Sequence, residues 1–155
     1  MIAKSPAAHD RAPDHVRAIA PYVGGKPIEE VARELNLDVA SIIKLASNEN
    51  PRGPSAKVLA AIAAAASGLT RYPDGNAFAL KAALADHLNV RPEQIVLGNG
   101  SNDVLELATH AFLRPGDEVV YSRYAFVVYP LATQARGAQG IEVPDKDHAH
   151  DLDAM

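Results

Sequence analysis

The sequence predicts an α/β fold in which parallel strands are joined by helices. Three short strand-like runs occur at 94–97, 118–122 and 139–143, and the first of them is apolar. Helical patterns over 101–113 and 125–136 separate these runs. Strands that alternate with helices pair in parallel through right-handed crossovers, and this alternation is the basis for the predicted fold class.

The first half of the chain is predicted to be mostly helical. Residues 1–12 are polar and rich in Ala and Pro, so we expect them to be disordered. The helical segments, taken from their apolar spacing and their Pro, Ser or Gly ends, are 14–22, 27–36, 55–67 and 76–88. Residues 42–45 are predicted to form a short strand, and 46–54, with two prolines and a glycine, a loop.

One residue conflicts with its predicted element in the second half. Pro130 lies inside the helical pattern 125–136, where proline removes a hydrogen bond and clashes with the preceding turn. The helix therefore either kinks at Pro130 or begins close to it. Pro115-Gly116 and Gly137 mark the ends of the two helices of this half.

Composition limits the class of protein. The chain has 155 residues, 48% of them hydrophobic, which is enough for one domain that buries about 70% of its unfolded surface. A net charge of −4 without a basic run argues against a general nucleic-acid binder. The absence of cysteine excludes disulfides and thiolate sites. No apolar stretch is long enough to span a bilayer and no secretory leader is evident, so we expect no membrane partner and a cytoplasmic location.

A Gly-Asn-Gly-Ser-Asn-Asp segment at 98–103 follows the first strand and opens the next helix. The glycines let the backbone approach a ligand, and the free N–H groups of a helix N-terminus attract anions, so the segment favours phosphate binding. It departs from a dinucleotide fingerprint, which needs Gly at 103, and from a P-loop, which needs Gly-Lys-Ser/Thr. The alternative is a capped helix without a ligand, with Gly100 as N-cap and Asp103 at the third helical position.

Several segments together resemble the N-terminal half of histidinol-phosphate aminotransferases, which are fold-type-I pyridoxal-phosphate enzymes. The segments are Asn48-Glu49-Asn50-Pro51, Arg71-Tyr72-Pro73-Asp74-Gly75, the 98–103 segment, Arg114-Pro115-Gly116-Asp117-Glu118 and Tyr124-Ala125-Phe126. The resemblance runs from about Tyr22 to Met155. It implies an α/β chain with an N-terminal arm and helices followed by an incomplete parallel-sheet portion of the aminotransferase large domain.

The resemblance implies domain bounds and a strand order. Residues 13–54 would be an arm and small-domain segment, and 55–155 a truncated pyridoxal-phosphate-binding large domain. In this family the second and third strands pair with each other away from the first. We therefore expect 118–122 to pair in parallel with 139–143, and 94–97 to have no neighbour in that pair.

The resemblance also implies site residues and a cofactor, pyridoxal 5'-phosphate. Gly100, Ser101 and Asn102 match the positions that hold its phosphate, and Phe126 matches the ring that stacks on the pyridine. Tyr72 matches a tyrosine that reaches the cofactor phosphate of the neighbouring subunit, which implies a homodimer. Without the family match, Phe126 would be interpreted as a core aromatic of the helix and Tyr72 as a turn residue.

Two further residues, Tyr22 and Asn48, match arm positions that face the substrate. A phenol and an amide suit neutral hydrogen bonds to an anionic small molecule, although both residue types are ordinary in surface turns. Arg52 stands where relatives usually carry an apolar or aromatic residue. His148 and His150 lie in an acidic tail, where no third ligand at a suitable spacing supports a metal site.

The implied reaction converts histidinol phosphate and 2-oxoglutarate to imidazole-acetol phosphate and glutamate. The family's Schiff-base lysine, its pyridine-pairing Asp and its carboxylate-binding Arg have no counterparts here, so no catalytic residue is assigned. We expect the chain to be the first part of an enzyme and inactive alone. Alternatives are an aminotransferase for aromatic or other amino acids, a related phospho-amino-acid decarboxylase, or a non-catalytic phosphate-binding module.

Overall fold

A computed structural model describes residues 11–47 and 49–155 of the protein. Its contacts divide the chain into two compact units. Of the described residues, the strand unit contains 11–22 and 96–155, and the helical unit contains 23–47 and 49–95. The predicted bounds at 13–54 and 55–155 stay predictions.

The strand unit is built on a parallel pair. Strand β1 (Glu118–Ser122) pairs in parallel with β2 (Gln139–Val143), with Glu118 opposite Gln139 and Ser122 opposite Val143. Helix α6 (Val128–Ala135) connects the two strands, and α5 (Ser101–Phe112) packs against α6. The predicted pairing of 118–122 with 139–143 is confirmed, with both strand bounds.

The buried residues of the strand unit lie in α6, which packs against β2, and at the last residue of each strand. Ala132 and Thr133 of α6 are each 1% exposed, and Ser122 and Val143 at the strand ends are also buried. The Thr133 hydroxyl donates to the carbonyl of Tyr129 at 2.7 Å, so its burial leaves no polar group unpaired.

The conflict at Pro130 is resolved by the position of the helix start. Helix α6 begins at Val128 rather than at 125, so Pro130 falls in its first turn. The N–H groups of the first turn have no partner within a helix, and the proline therefore costs no helical hydrogen bond. Phe126 consequently lies in the loop before α6 and not inside the helix.

The helical unit contains three α-helices with local caps. They are α2 (Ile28–Leu35), α3 (Ala56–Ala65) and α4 (Phe78–Leu88). The Ser55 hydroxyl accepts from the N–H of Val58 at 3.3 Å and starts α3. Asn36 and Asn89 end α2 and α4 in the left-handed conformation, with φ of 52° and 54°. Short 3₁₀ turns follow at Val39–Ser41, Ala66–Gly68 and Pro92–Gln94.

Three predicted elements are corrected. Neither 42–45 nor 94–97 forms a strand, because neither has a neighbouring strand within the described residues; Leu45 is 93% exposed and Val96 66% exposed. The predicted helix 14–22 is only one turn, α1 (Asp14–Arg17). Pro21 disfavours helical geometry at the residue before it, which limits how far α1 can extend.

The chain buries less surface than its length predicts. Its accessible area is 13173 Å², against roughly 7,500 Å² for a folded monomer of this mass, so roughly 45% of the unfolded surface is buried rather than the expected 70%. Large apolar side chains such as Ile62 of α3 and Leu88 of α4 stay more than half exposed. A chain of this length leaves apolar faces available for further packing.

Candidate functional site

The N-terminus of α5 presents a group of free backbone donors. Gly100, with φ of 91°, is the N-cap, in a conformation that favours glycine. Within the described residues, the N–H groups of Ser101, Asn102 and Asp103 donate to no protein acceptor, and the Ser101 and Asn102 side chains are exposed. Three open donors at the positive end of a twelve-residue helix can bind an anion such as a phosphate.

The loop before α5 is held by a side chain whose contact the sequence reasoning missed. The Asp103 carboxylate reaches back and accepts from the N–H of Asn99 at 2.9 Å. A Cβ on Gly98 would lie 3.1 Å from Asp103 Cβ and Oδ2, so glycine leaves the room that this contact uses. The signal was present, because an acidic residue at the third helical position is typical of a reach-back cap.

Two aromatic rings from distant parts of the sequence meet in the strand unit. The Tyr22 and Phe126 rings pack edge to face, with centroids 6.5 Å apart and an interplanar angle of 76°. Tyr22 is 59% exposed and Phe126 50% exposed. Phe126 is therefore a partly open aromatic surface and not a core residue, and the Tyr22 phenol lies beside it.

The other predicted site residues have no described contact with the N-terminus of α5 or with the Tyr22–Phe126 pair. Tyr72 belongs to the helical unit, and its side chain is fully exposed. Asn48 lies outside the described residues. The N–H of Arg52 donates to Asn50 Oδ1 at 3.0 Å in a turn, and nothing in the structure gives the Arg52 side chain a role.

Two ionisable side chains of the helical unit, Lys26 and Asp74, have shifted pKa values. A hydrogen bond from Lys26 Nζ to the Glu34 carboxylate at 2.6 Å raises the pKa of Lys26, and Glu30 adds to the effect. Asp74 accepts from the N–H groups of Phe78 at 2.8 Å and Asn76 at 3.0 Å. These bonds favour the ionised carboxylate and lower the pKa of Asp74.

The C-terminal tail borders a cavity. It has a volume of about 450 Å³, and its lining includes Ser122, Ala125, Tyr129 and His150. The Ser122 hydroxyl donates to Asp145. No cluster of three His, Asp or Glu side chains suited to a metal ion occurs in the part of the chain that the structure describes.

The sequence profile of the aminotransferase class I and II family matches residues 40–155, three quarters of the chain. The chain belongs to this family. In residues 11–47 and 49–155, no helix of this aminotransferase-family chain is long and apolar enough to cross a membrane.

Two similar curated relatives within this family are both named as histidinol-phosphate aminotransferases. The chain is 58% identical over 147 residues to histidinol-phosphate aminotransferase of Methylobacillus flagellatus, covering 95% of this chain and 40% of the relative. It is 61% identical over 140 residues to histidinol-phosphate aminotransferase 2 of Pseudomonas fluorescens, covering 90% and 38%. The chain thus spans about two fifths of the length of these curated relatives.

A solved structure agrees in fold. The crystal structure of histidinol-phosphate aminotransferase from Sinorhizobium meliloti, in complex with pyridoxal-5'-phosphate, matches with a TM-score of 0.80 at 29% identity. The match covers 97% of this chain and 39% of that chain. The predicted fold class, a portion of the aminotransferase fold with a small parallel sheet, is confirmed.

Proposed function

We propose that this chain is the N-terminal part of a pyridoxal-phosphate-dependent histidinol-phosphate aminotransferase. The reaction is the transfer of an amino group between histidinol phosphate and 2-oxoglutarate, giving imidazole-acetol phosphate and glutamate. The relatives named above, which match at 58% and 61% identity, support this choice over other amino-acid substrates. The large exposed apolar area is consistent with a chain that packs against a further part of the same enzyme.

The observation that carries the proposal is the open N-terminus of α5. A cofactor phosphate needs several donors and a positive potential, and the free N–H groups of Ser101, Asn102 and Asp103 supply both. The Ser101 hydroxyl adds a side-chain donor at the same turn. The residues present therefore fit the phosphate of pyridoxal phosphate.

The aromatic pair fits the rest of the ligand. The exposed half of Phe126 offers a face for a flat heteroaromatic ring, and the Tyr22 phenol beside it can donate a hydrogen bond to an anionic substrate. Pyridoxal phosphate, when bound, supplies an electron sink for breaking a bond at the substrate carbon. The chain's own residues hold the phosphate, flank the ring and orient the substrate.

The remaining assignments belong to the same proposal. The family match assigns Asn48 to substrate binding, and it assigns Tyr72, whose side chain is fully exposed, to the cofactor phosphate of a second subunit in a homodimer. None of the chain's lysines matches the family's Schiff-base position, so that lysine belongs to another part of the enzyme.

A chimeric enzyme tests the function directly. This chain replaces the matching first two fifths of the Methylobacillus flagellatus relative, and the product is expressed in a bacterium that lacks histidinol-phosphate aminotransferase. We expect growth without histidine, and we expect the purified chimera to consume histidinol phosphate. The control is the same chimera with Gly100→Val, which distorts the phosphate site.

Two results would contradict the proposal. A folded chimera that binds pyridoxal phosphate and prefers an aromatic amino acid to histidinol phosphate would show that the enzyme is an aminotransferase for aromatic amino acids. A folded chimera that binds phosphate without any transaminase activity would favour the non-catalytic module.

A further inference from the structure

The N-terminal segment is anchored on the turn that follows α6. Gln134 Nε2 at the end of α6 donates to the backbone carbonyl of His15 in α1 at 3.2 Å. Gly137 in the next turn, with φ of 69°, leaves space for the His15 ring; a Cβ there would lie 3.3 Å from His15 Cε1. The same Cβ would lie 3.4 Å from Pro115 Cβ. The contacts of His15 with Gln134 and Gly137 join residues more than a hundred positions apart in sequence.

The segment that joins α1 to Tyr22 is short and has few accessible backbone conformations. Four residues separate the end of α1 from Tyr22, and they follow no regular structure after Ala18 and Ile19 bond back to α1. Pro21 fixes its own φ and restricts the residue before it. A chain this short and restricted transmits the position of α1 to the Tyr22 ring.

We infer that Gln134 is a positioning residue for the substrate-side phenol. By holding the carbonyl of His15, it fixes α1 and thereby keeps the Tyr22 ring against Phe126. Gly137 supports the same contact by leaving room for the His15 ring. The link from this position to substrate binding rests on the proposed function, whereas the positioning itself concerns only this chain.

The first test measures the ring contact in the 155-residue chain. Nuclear Overhauser effects are recorded between Tyr22 and Phe126 in protein labelled on Tyr and Phe, with Tyr22→Leu identifying the signal. We expect Gln134→Ala to shift the equilibrium between packed and unpacked Tyr22 about two- to tenfold toward the unpacked form, which is the change that loss of one hydrogen bond produces, and the cross-peak to lose intensity accordingly. Gln139→Ala is the matched control, because Gln139 is an exposed glutamine whose side chain makes no described hydrogen bond.

Fold integrity is checked in amide spectra of the same variants labelled uniformly with ¹⁵N. The strand pair must persist, as reported by protection of the Arg123 N–H, which follows β1 and donates to the carbonyl of Val143 at the end of β2. If Gln134→Ala unfolds the chain, Gln134→Glu replaces it, since glutamate keeps the side-chain shape but offers no N–H donor. An unchanged Tyr22–Phe126 cross-peak in a folded Gln134 variant overturns the inference.

The second test separates positioning from general stability. In the chimeric enzyme, Gln134→Ala should raise KM for histidinol phosphate about two- to tenfold with little change in kcat, and should add nothing in a Tyr22→Leu background. A weakened cross-peak with an unchanged KM overturns the substrate role. A chimera without activity counts against the proposed function, while the cross-peak still decides whether Gln134 positions Tyr22.

Discussion

Tyr22 and Phe126 pack edge to face in the strand unit, although they come from opposite ends of the chain. Such aromatic pairs contribute about 0.5–1.5 kcal/mol beyond area burial, and both of these rings stay half exposed. The contact therefore places a phenol beside an accessible aromatic face without burying either ring. This arrangement suits ligand binding better than core packing.

The first prediction concerns the donors at the start of α5. The double variant Gly100→Val, Ser101→Ala should lower the affinity for pyridoxal phosphate and for inorganic phosphate about tenfold or more. Valine is strained at a φ of 91°, and the serine hydroxyl is lost with the loop geometry. Titration followed by ³¹P NMR measures the effect.

The matched control for this variant is Gly68→Ala. Gly68 has ordinary φ, and nothing lies within 4 Å of an added Cβ, so phosphate binding should be unaffected. Undiminished phosphate binding by the double variant would show that the anion site lies elsewhere.

The second prediction concerns the lysines. The 155-residue chain alone should show no transaminase activity and form no stoichiometric adduct with pyridoxal phosphate at one lysine. Lys26 illustrates the reason: its bond to Glu34 raises its pKa, so less of the neutral amine that attacks an aldehyde is present. Lys44 is likewise paired, with Glu49 at 2.8 Å.

Borohydride reduction followed by peptide mapping measures the adduct. We expect partial labelling spread over several lysines. One fully labelled lysine would contradict the prediction and would identify a Schiff-base residue that the family comparison does not.

Sequence reasoning succeeded where the determining interactions are local. The N-cap at Gly100, the start of α3 at Ser55 and the bounds of β1 and β2 follow from residues within a few positions of each element. The Pro130 conflict also had a local answer, which is that the helix starts just before the proline.

Features that depend on residues far away in sequence could not be predicted. The runs at 42–45 and 94–97 have strand-like composition, but a strand forms only when a neighbour supplies hydrogen bonds. The bond from Gln134 to His15 and the contact of Tyr22 with Phe126 join the two ends of the chain, and no local pattern indicates either. Family resemblance named Tyr22 and Phe126, but the contact between their rings is seen only in the folded structure.

The third prediction concerns global stability. Because an accessible area of 13173 Å² means that unfolding exposes less surface than it would for a compact domain of this length, urea should unfold the isolated chain with a low m-value and a low midpoint. Exposed apolar residues such as Ile62 and Leu88 should also make the chain associate at high concentration. Circular dichroism in urea and sedimentation measure the two effects. A steep transition from a stable monomer would contradict this prediction.

The fourth prediction concerns packing between the strands. A Cβ at Gly140 of β2 would lie 2.5 Å from the Tyr121 hydroxyl of β1, so Gly140→Ala forces the Tyr121 ring to turn away. We expect a loss of about 1 kcal/mol in the free energy of unfolding, the low end of the range for overpacking, because Gly140 is exposed and the phenol can turn toward solvent. In a Tyr121→Ala background the same substitution should cost much less. Equal costs in the two backgrounds would show that the Tyr121 ring is not the obstacle.

The last prediction concerns Asp74, which follows Tyr72 and Pro73 and caps the turn into α4. Its carboxylate accepts from the N–H groups of Phe78 and Asn76, and these bonds lower its pKa. A carboxylate with a lowered pKa in the folded state adds stability above its unfolded pKa of about 3.9, and that stability is lost as the pH falls through the folded value. Asp74→Ala should therefore speed amide exchange in the first turn of α4 at pH 6, and the difference from the parent chain should shrink below about pH 4.

Asp86→Ala is the control, because Asp86 is an exposed carboxylate of the same helix whose side chain makes no described hydrogen bond. A difference that stays constant down to pH 2 would mean that the charge on Asp74 does not stabilise this turn.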